Sequence, residues 1–143
     1  MKLLFLDIDG VMTNDDRVIN DRHIYSFSKS CVEVLNQILR THEVKIILTS
    51  SWRTVYDPET INRMFTENGV IQTPAGQTPS ISTLRRSLEI KKYLEKRTPT
   101  HFVILDDMEI PGFPKNYIRI DPATGLTMEH IPRINEILGV DRL

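Results

Sequence analysis

The stretch that most constrains this chain is Leu3-Leu4-Phe5-Leu6-Asp7-Ile8-Asp9-Gly10-Val11. Four apolar residues in a row, too few to span a membrane and bounded by acids and a glycine, predict a strand buried on both faces of a parallel sheet. Asp7 and Asp9 then fall at its carboxyl end, where open α/β sheets bind their ligands, and Gly10 lets the backbone turn away. Two acids one residue apart repel each other unless they share a cation or a proton.

The same strand-then-polar pattern recurs. Val44–Leu48 is a branched apolar run that ends in Thr49-Ser50-Ser51-Trp52-Arg53, and His101–Leu105 ends in Asp106-Asp107. Helical patterns separate these runs. One starts at Ser28 or Ser30 and reaches Arg40, with Val32, Leu35, Ile38 and Leu39 on one face. The next starts at Asp57-Pro58-Glu59, a capping acid with proline at the first helical position, and stops at Gly69. The third runs from about Ser87 to Arg97, and the last is capped by Thr127. Met12–Tyr25 reads as a flap or small hairpin, Val70–Ser82 as a loop bordering the site, and Tyr117–Ile120 as a short edge strand. Alternating strands and helices with long crossovers predict a three-layer, doubly wound (Rossmann-like) α/β fold with a mainly parallel sheet. With 143 residues, a single domain over 1–143 is expected.

Composition narrows the partners. A formal charge of −1, with 26% charged and 40% hydrophobic residues, gives no bulk attraction to nucleic acid or membrane, so any nucleic-acid contact must be local. The single cysteine, Cys31, excludes an internal disulfide and suits a core position in a reducing, cytoplasmic setting. Asp7 and Asp9 interrupt the apolar start too early for an export signal, and no membrane segment is expected.

Acids arriving at one rim from distant parts of the chain call for a hard cation, and a few carboxylates with room for water and substrate favour Mg²⁺. Beside such a cation a carboxylate can attack phosphorus, because its repulsion from the phosphoryl group is offset. The transferring group needs donors as well. The hydroxyl of Ser50 and the guanidinium of Arg86, just before a helix start, are the candidates.

The order Asp7-x-Asp9-Gly10-Val11, a hydroxyl after the second strand, a basic residue and Asp106-Asp107 resembles the four-motif signature of the haloacid dehalogenase (HAD) superfamily of phosphatases and phosphotransferases. Ser50-Ser51-Trp52-Arg53 and Arg86-x-x-Glu89-Ile90 are similar, more narrowly, to small HAD domains of RNA and polynucleotide end repair. The resemblance implies Asp7 as nucleophile and metal ligand, and Asp9 as general acid/base with its main-chain carbonyl on the metal. It implies Ser50 as the phosphate-binding hydroxyl, with Thr49 the alternative. Arg86 matches a residue that is lysine in many members, and a nearby lysine is the alternative. One or both of Asp106 and Asp107 match the Mg²⁺ ligands. The intervals between motifs hold no substantial cap domain, which implies an open site suited to a phosphate on a large substrate such as a nucleotide or polynucleotide end. The activity implied is a phosphomonoesterase with an aspartyl-phosphate intermediate.

Plainer roles stand beside these. Trp52 and Arg53 are as well explained by packing and ion pairing as by substrate contact, Lys91 and Lys92 by an exposed helix face, and Asp121 by an Asp-Pro turn. His23, His42, His101 and His130 lack ligand spacing. The alternative function is a receiver-like or catalytically silent, phosphate-responsive module, although a receiver would end its last strand in lysine where this chain has Asp121.

Overall fold

The computed structural model describes residues 1–14, 26–81 and 85–139. Its centre is β1 (Lys2–Leu6), flanked by β2 (Val44–Leu48) and β4 (His101–Asp106), with β3 (Gly76–Gln77) and β5 (Tyr117–Arg119) at the edges. All strands pair in parallel in the order β3-β2-β1-β4-β5. The chain therefore builds outward from β1 through β2 and β3, then crosses to the other side for β4 and β5. The crevice created by that reversal lies between β1 and β4 at their carboxyl ends.

Strand alternation sorts the core into two layers. Leu4 and Leu6 pack with Ile46, Leu48, Val103 and Leu105 beneath α1 (Lys29–Thr41), α2 (Pro58–Glu67) and α4 (Ile131–Leu138). Leu3 and Phe5 pack with Ile47 and Ile104 against α3 (Arg86–Leu94), through Ile90 and Tyr93. Phe5 meets Tyr93 and Phe102 edge-on, each at 5.8 Å between ring centroids, a favoured aromatic geometry. This is the expected three-layer α/β fold, and the intervals leave no room for a large cap. Burial of residues 3–6 on both faces removes nearly all their apolar surface from water, about 1.5–3 kcal/mol for each such side chain.

The helix starts show which local signals acted. Asp57 caps α2 by accepting the Thr60 N–H at 2.8 Å, with proline following it. Ser28 precedes α1, but its hydroxyl donates to Asn14 Oδ1 at 2.9 Å instead of capping. The third helix starts at Arg86 and stops at Leu94, three residues short of the expected Arg97. The loop expected over Val70–Ser82 contains β3, whose two residues pair with Ile47 and Leu48. A glycine and a glutamine have no strand propensity, so that pairing comes from the neighbouring strand's free edge. Of the flap expected over Met12–Tyr25, residues 15–25 lie outside those described. Its first residues turn tightly, the Val11 and Met12 N–H groups both donating to the Ile8 carbonyl. Among the described residues no helix is long and apolar enough to cross a membrane.

Candidate active site

The parallel ladder runs one rung past β1. Asp7 N–H donates to the Leu105 carbonyl at 3.1 Å and Thr49 N–H to the Leu6 carbonyl at 3.0 Å. Leu6, Leu48 and Leu105 are in register, so the next residues, Asp7, Thr49 and Asp106, form one row across three strands. By alternation that row lies on the Leu3/Phe5 face, the face that α3 covers. The sequence thus delivers two carboxylates and a hydroxyl to one line of the sheet, and α3 brings its first residue, Arg86, over them.

The electrostatics of the row are severe. Asp7 is 4% exposed and Asp106 fully buried. Arg86 Nη1 lies 2.7 Å from Asp106 Oδ2 and 3.3 Å from Asp7 Oδ1. Asp106 Oδ1 accepts the Met108 N–H at 2.9 Å. Burial, followed by the charge of Asp106, pushes the Asp7 carboxyl up to about 8 despite Arg86, and a hydrogen bond with Asp107 adds to the rise. Burial also raises Asp106, against the pull of the same arginine. One guanidinium is too little positive charge for these acids. Carboxylate oxygens of Asp7, Asp106 and Asp107 lie within 4.8 Å of one another, close enough to share a metal ion. An all-oxygen set of this kind fits Mg²⁺, and a cation there would remove the repulsion that otherwise forces a proton onto Asp7.

Gly10 sets how closely Asp107 can approach. At φ +81° it occupies the left-handed region, and a Cβ there would collide with the Asp107 carboxylate, its Cγ 2.8 Å away. The Gly10 N–H donates to Thr13 Oγ1 at 2.9 Å, which holds the turn. Both the conformation and the space demand glycine.

Asp9 stands apart from the acidic group. It is exposed, and its Oδ2 accepts the Trp52 indole N–H at 3.0 Å. Trp52 sits on the 3₁₀ turn Ser51–Thr54, its ring braced by Phe27 and Tyr56. Ser50 is buried and accepts the Trp52 N–H at 3.2 Å, while the buried Thr49 hydroxyl has no hydrogen-bond partner. Arg53, next on the same turn, points inward. It donates to the carbonyls of Thr49, Ser50, Thr78 and Pro79, and its Nη2 pairs with Glu89 Oε2 at 2.8 Å. Glu89 Oε2 in turn accepts the Ile81 N–H at 2.8 Å.

A family comparison matches residues 3–131 to the HAD domain in Swiss Army Knife RNA repair proteins. The chain belongs to that family. No match is found among curated proteins or among solved structures. The HAD assignment carries a phosphatase-type hydrolase function with it, and the acids of this domain are compatible with Mg²⁺.

Set against the sequence, the HAD domain brings Asp7, Arg86, Asp106 and Asp107 together, places Ser50 behind the Trp52 turn and leaves Asp9 exposed at the rim. Sequence reasoning set Trp52 aside and did not anticipate its bond to Asp9. Glu89 was readable as an acid one residue from Ile90 on the inward face of α3, though nothing local named Arg53 as its partner. The neutral Thr127 N–H donates to His130 Nδ1 at 3.0 Å, so that histidine closes a turn. His42 is buried against Asn135.

Proposed function

We propose that this HAD domain is a Mg²⁺-dependent phosphomonoesterase that forms a phospho-enzyme on Asp7 and acts on the exposed terminal phosphate of a nucleotide or polynucleotide. The observation that carries the reading is the buried row of Asp7 and Asp106 with Arg86 across both, joined by Asp107. Asp7 Oδ attacks phosphorus, and the bond to the leaving oxygen breaks as Asp9 delivers its proton. Asp9 then takes a proton from the water that cleaves the acyl phosphate. The Trp52 indole holds the Asp9 carboxylate for both steps. The Arg86 guanidinium, whose Nη1 already lies between two acids, offers its remaining N–H groups to the charge on the equatorial phosphoryl oxygens. Asp7, Asp106 and Asp107, with the Asp9 carbonyl, would hold Mg²⁺, whose charge neutralises the incoming phosphate. Thr49 shares the Asp7 row and its buried hydroxyl has no partner, while Ser50 Oγ accepts the Trp52 N–H and keeps its own O–H to donate, so either hydroxyl can serve the phosphate. The family description supports an RNA end as the substrate, and the lack of room for a cap supports an open site within a single domain.

The test is phosphate release from an aryl phosphate and from 3′- and 5′-phosphorylated oligonucleotides in saturating Mg²⁺. Wild type should turn over at least one of them, EDTA should abolish turnover, and Asp7→Asn should lower it at least about 1,000-fold. Full activity in the variant, or none in wild type on any of these, overturns the reading. A phosphorylated Asp7 that persists without hydrolysis would point instead to a signalling module.

A further inference from the structure

A groove of about 450 Å³ opens beside β3, on the face that α3 covers. One wall is the turn after Ser50, through Thr54. The floor is the end of β3 at Gln77 with the segment that follows to Ser80. The other wall is the second half of α3 and its continuation, with Lys92, Lys96 and Arg97. It adjoins the candidate active site, because Arg53 forms part of its lining while its guanidinium binds the Thr49 and Ser50 carbonyls. Thr78 N–H, in the same floor, bonds the Leu48 carbonyl one residue from Thr49.

The charge of this groove departs from that of the chain. The whole sequence carries −1, yet Lys92, Lys96 and Arg97 face a single carboxylate here, Glu95, once Arg53 is set against Glu89. Lys92 lies 3.4 Å from Glu95 with 59% of its side chain in water, and an ion pair so exposed binds its partner weakly. Arg97 is more fixed: its guanidinium lies 3.7 Å from the centre of the Tyr93 ring, and Nη1 donates to the Tyr93 carbonyl at 3.1 Å. A solvated helix face would present lysines on a convex surface. These cations line a concavity whose neutral polar side chains include Gln77 and Ser80, which can donate hydrogen bonds.

From this we infer that the groove is the track for the sugar-phosphate backbone of a single-stranded polynucleotide whose terminal phosphate sits at Asp7. The inference rests on the phosphatase reading for the chemistry at the strand end. The groove supplies affinity for the internal phosphates through Lys92, Lys96 and Arg97, and no sequence preference.

The experiment compares wild type with Lys92→Gln/Lys96→Gln, two substitutions at exposed positions, on an aryl phosphate, a nucleoside monophosphate, a phosphorylated octanucleotide and a phosphorylated octapeptide. Three phosphate contacts predict that the wild-type KM for the octanucleotide rises about 20-fold between 50 and 200 mM salt, and one remaining contact predicts about 3-fold in the variant. At low salt the variant KM for the octanucleotide should rise about tenfold or more, with kcat and the aryl phosphate rate unchanged. If wild type hydrolyses the aryl phosphate but treats octanucleotide and mononucleotide alike, the groove assignment fails while the phosphatase reading stands. The same failure follows if the salt dependence and the variant's defect attach to the octapeptide alone. If nothing is hydrolysed, the phosphatase reading fails. The groove is then judged by anisotropy of a fluorescent, unphosphorylated octanucleotide: salt-sensitive binding lost in the variant upholds it, and equal or absent binding overturns it.

Discussion

Two buried arginines, one within the candidate site and one beneath the turn beside it, have surroundings that differ in kind. Arg53 is enclosed by four main-chain carbonyls and Glu89, so its fork is consumed by the protein itself. Arg86 reaches two carboxylates through Nη1, both of them acids that a metal would also claim. The first arrangement is closed and balanced. The second holds an excess of negative charge that only a cation or a proton completes. The same side chain therefore serves two ends, and what separates them is whether its partners have other business: carbonyls 49, 50, 78 and 79 have none, and Asp7 does.

The largest effect that would test this contrast is on stability. Arg53→Met leaves Glu89 buried without its cation and removes the donors to four carbonyls, so we expect a loss of about 3–5 kcal/mol. In thermal unfolding that corresponds to a Tm lower by roughly 10 °C or more for a chain of this size. An unchanged Tm would show that the two arginines are not divided in this way. Next in size is Arg86→Met, expected to lower kcat about 100- to 1,000-fold, as the loss of a donor to a developing phosphoryl charge does. Its Tm in saturating Mg²⁺ should stay near wild type, since the cation takes over the balancing of Asp7 and Asp106. A Tm loss as large as that of Arg53→Met would erase the distinction. The smallest effect belongs to Trp52→Phe, which keeps the ring against Phe27 and Tyr56 but removes the N–H held by Asp9. One hydrogen bond to a charged group is worth about 1.5–3 kcal/mol at most, and less for an exposed carboxylate. Turnover should fall about tenfold with KM unchanged, sharpening the view that the turn anchored by Arg53 exists to present its neighbour.

How much of this was legible in the sequence follows from the range of the interactions. Periodicity and strand-end position placed β1, β2 and β4, and with them Asp7, Asp106 and Asp107, because apolar runs and their polar endings are local. Asp57 before Pro58 marked the start of α2 for the same reason. β3 was not legible, since Gly76 and Gln77 are a strand only by virtue of Ile47 and Leu48 beside them. The early stop of α3 was hidden too, because Glu95 to Arg97 are good helix formers and no breaker precedes Pro99. The bond from Trp52 to Asp9 and the pair of Arg53 with Glu89 join residues 43 and 36 positions apart. No local pattern states such a pairing. Which of Thr49 and Ser50 shares the Asp7 row depends on register, a relation between strands that one strand's residues do not contain.

The turn at Gly10 has a consequence for how this sequence can vary. The volume that a side chain at position 10 would need is already filled by the carboxylate of Asp107, which arrives from the end of β4. A change at 107 that frees the space still leaves position 10 tied to glycine by its backbone angle, whereas a change at 10 displaces the acid whatever stands elsewhere. Position 107 can therefore change while glycine stays at 10, whereas a change at 10 both strains the backbone and displaces the acid, so the dependence at this corner of the site runs one way.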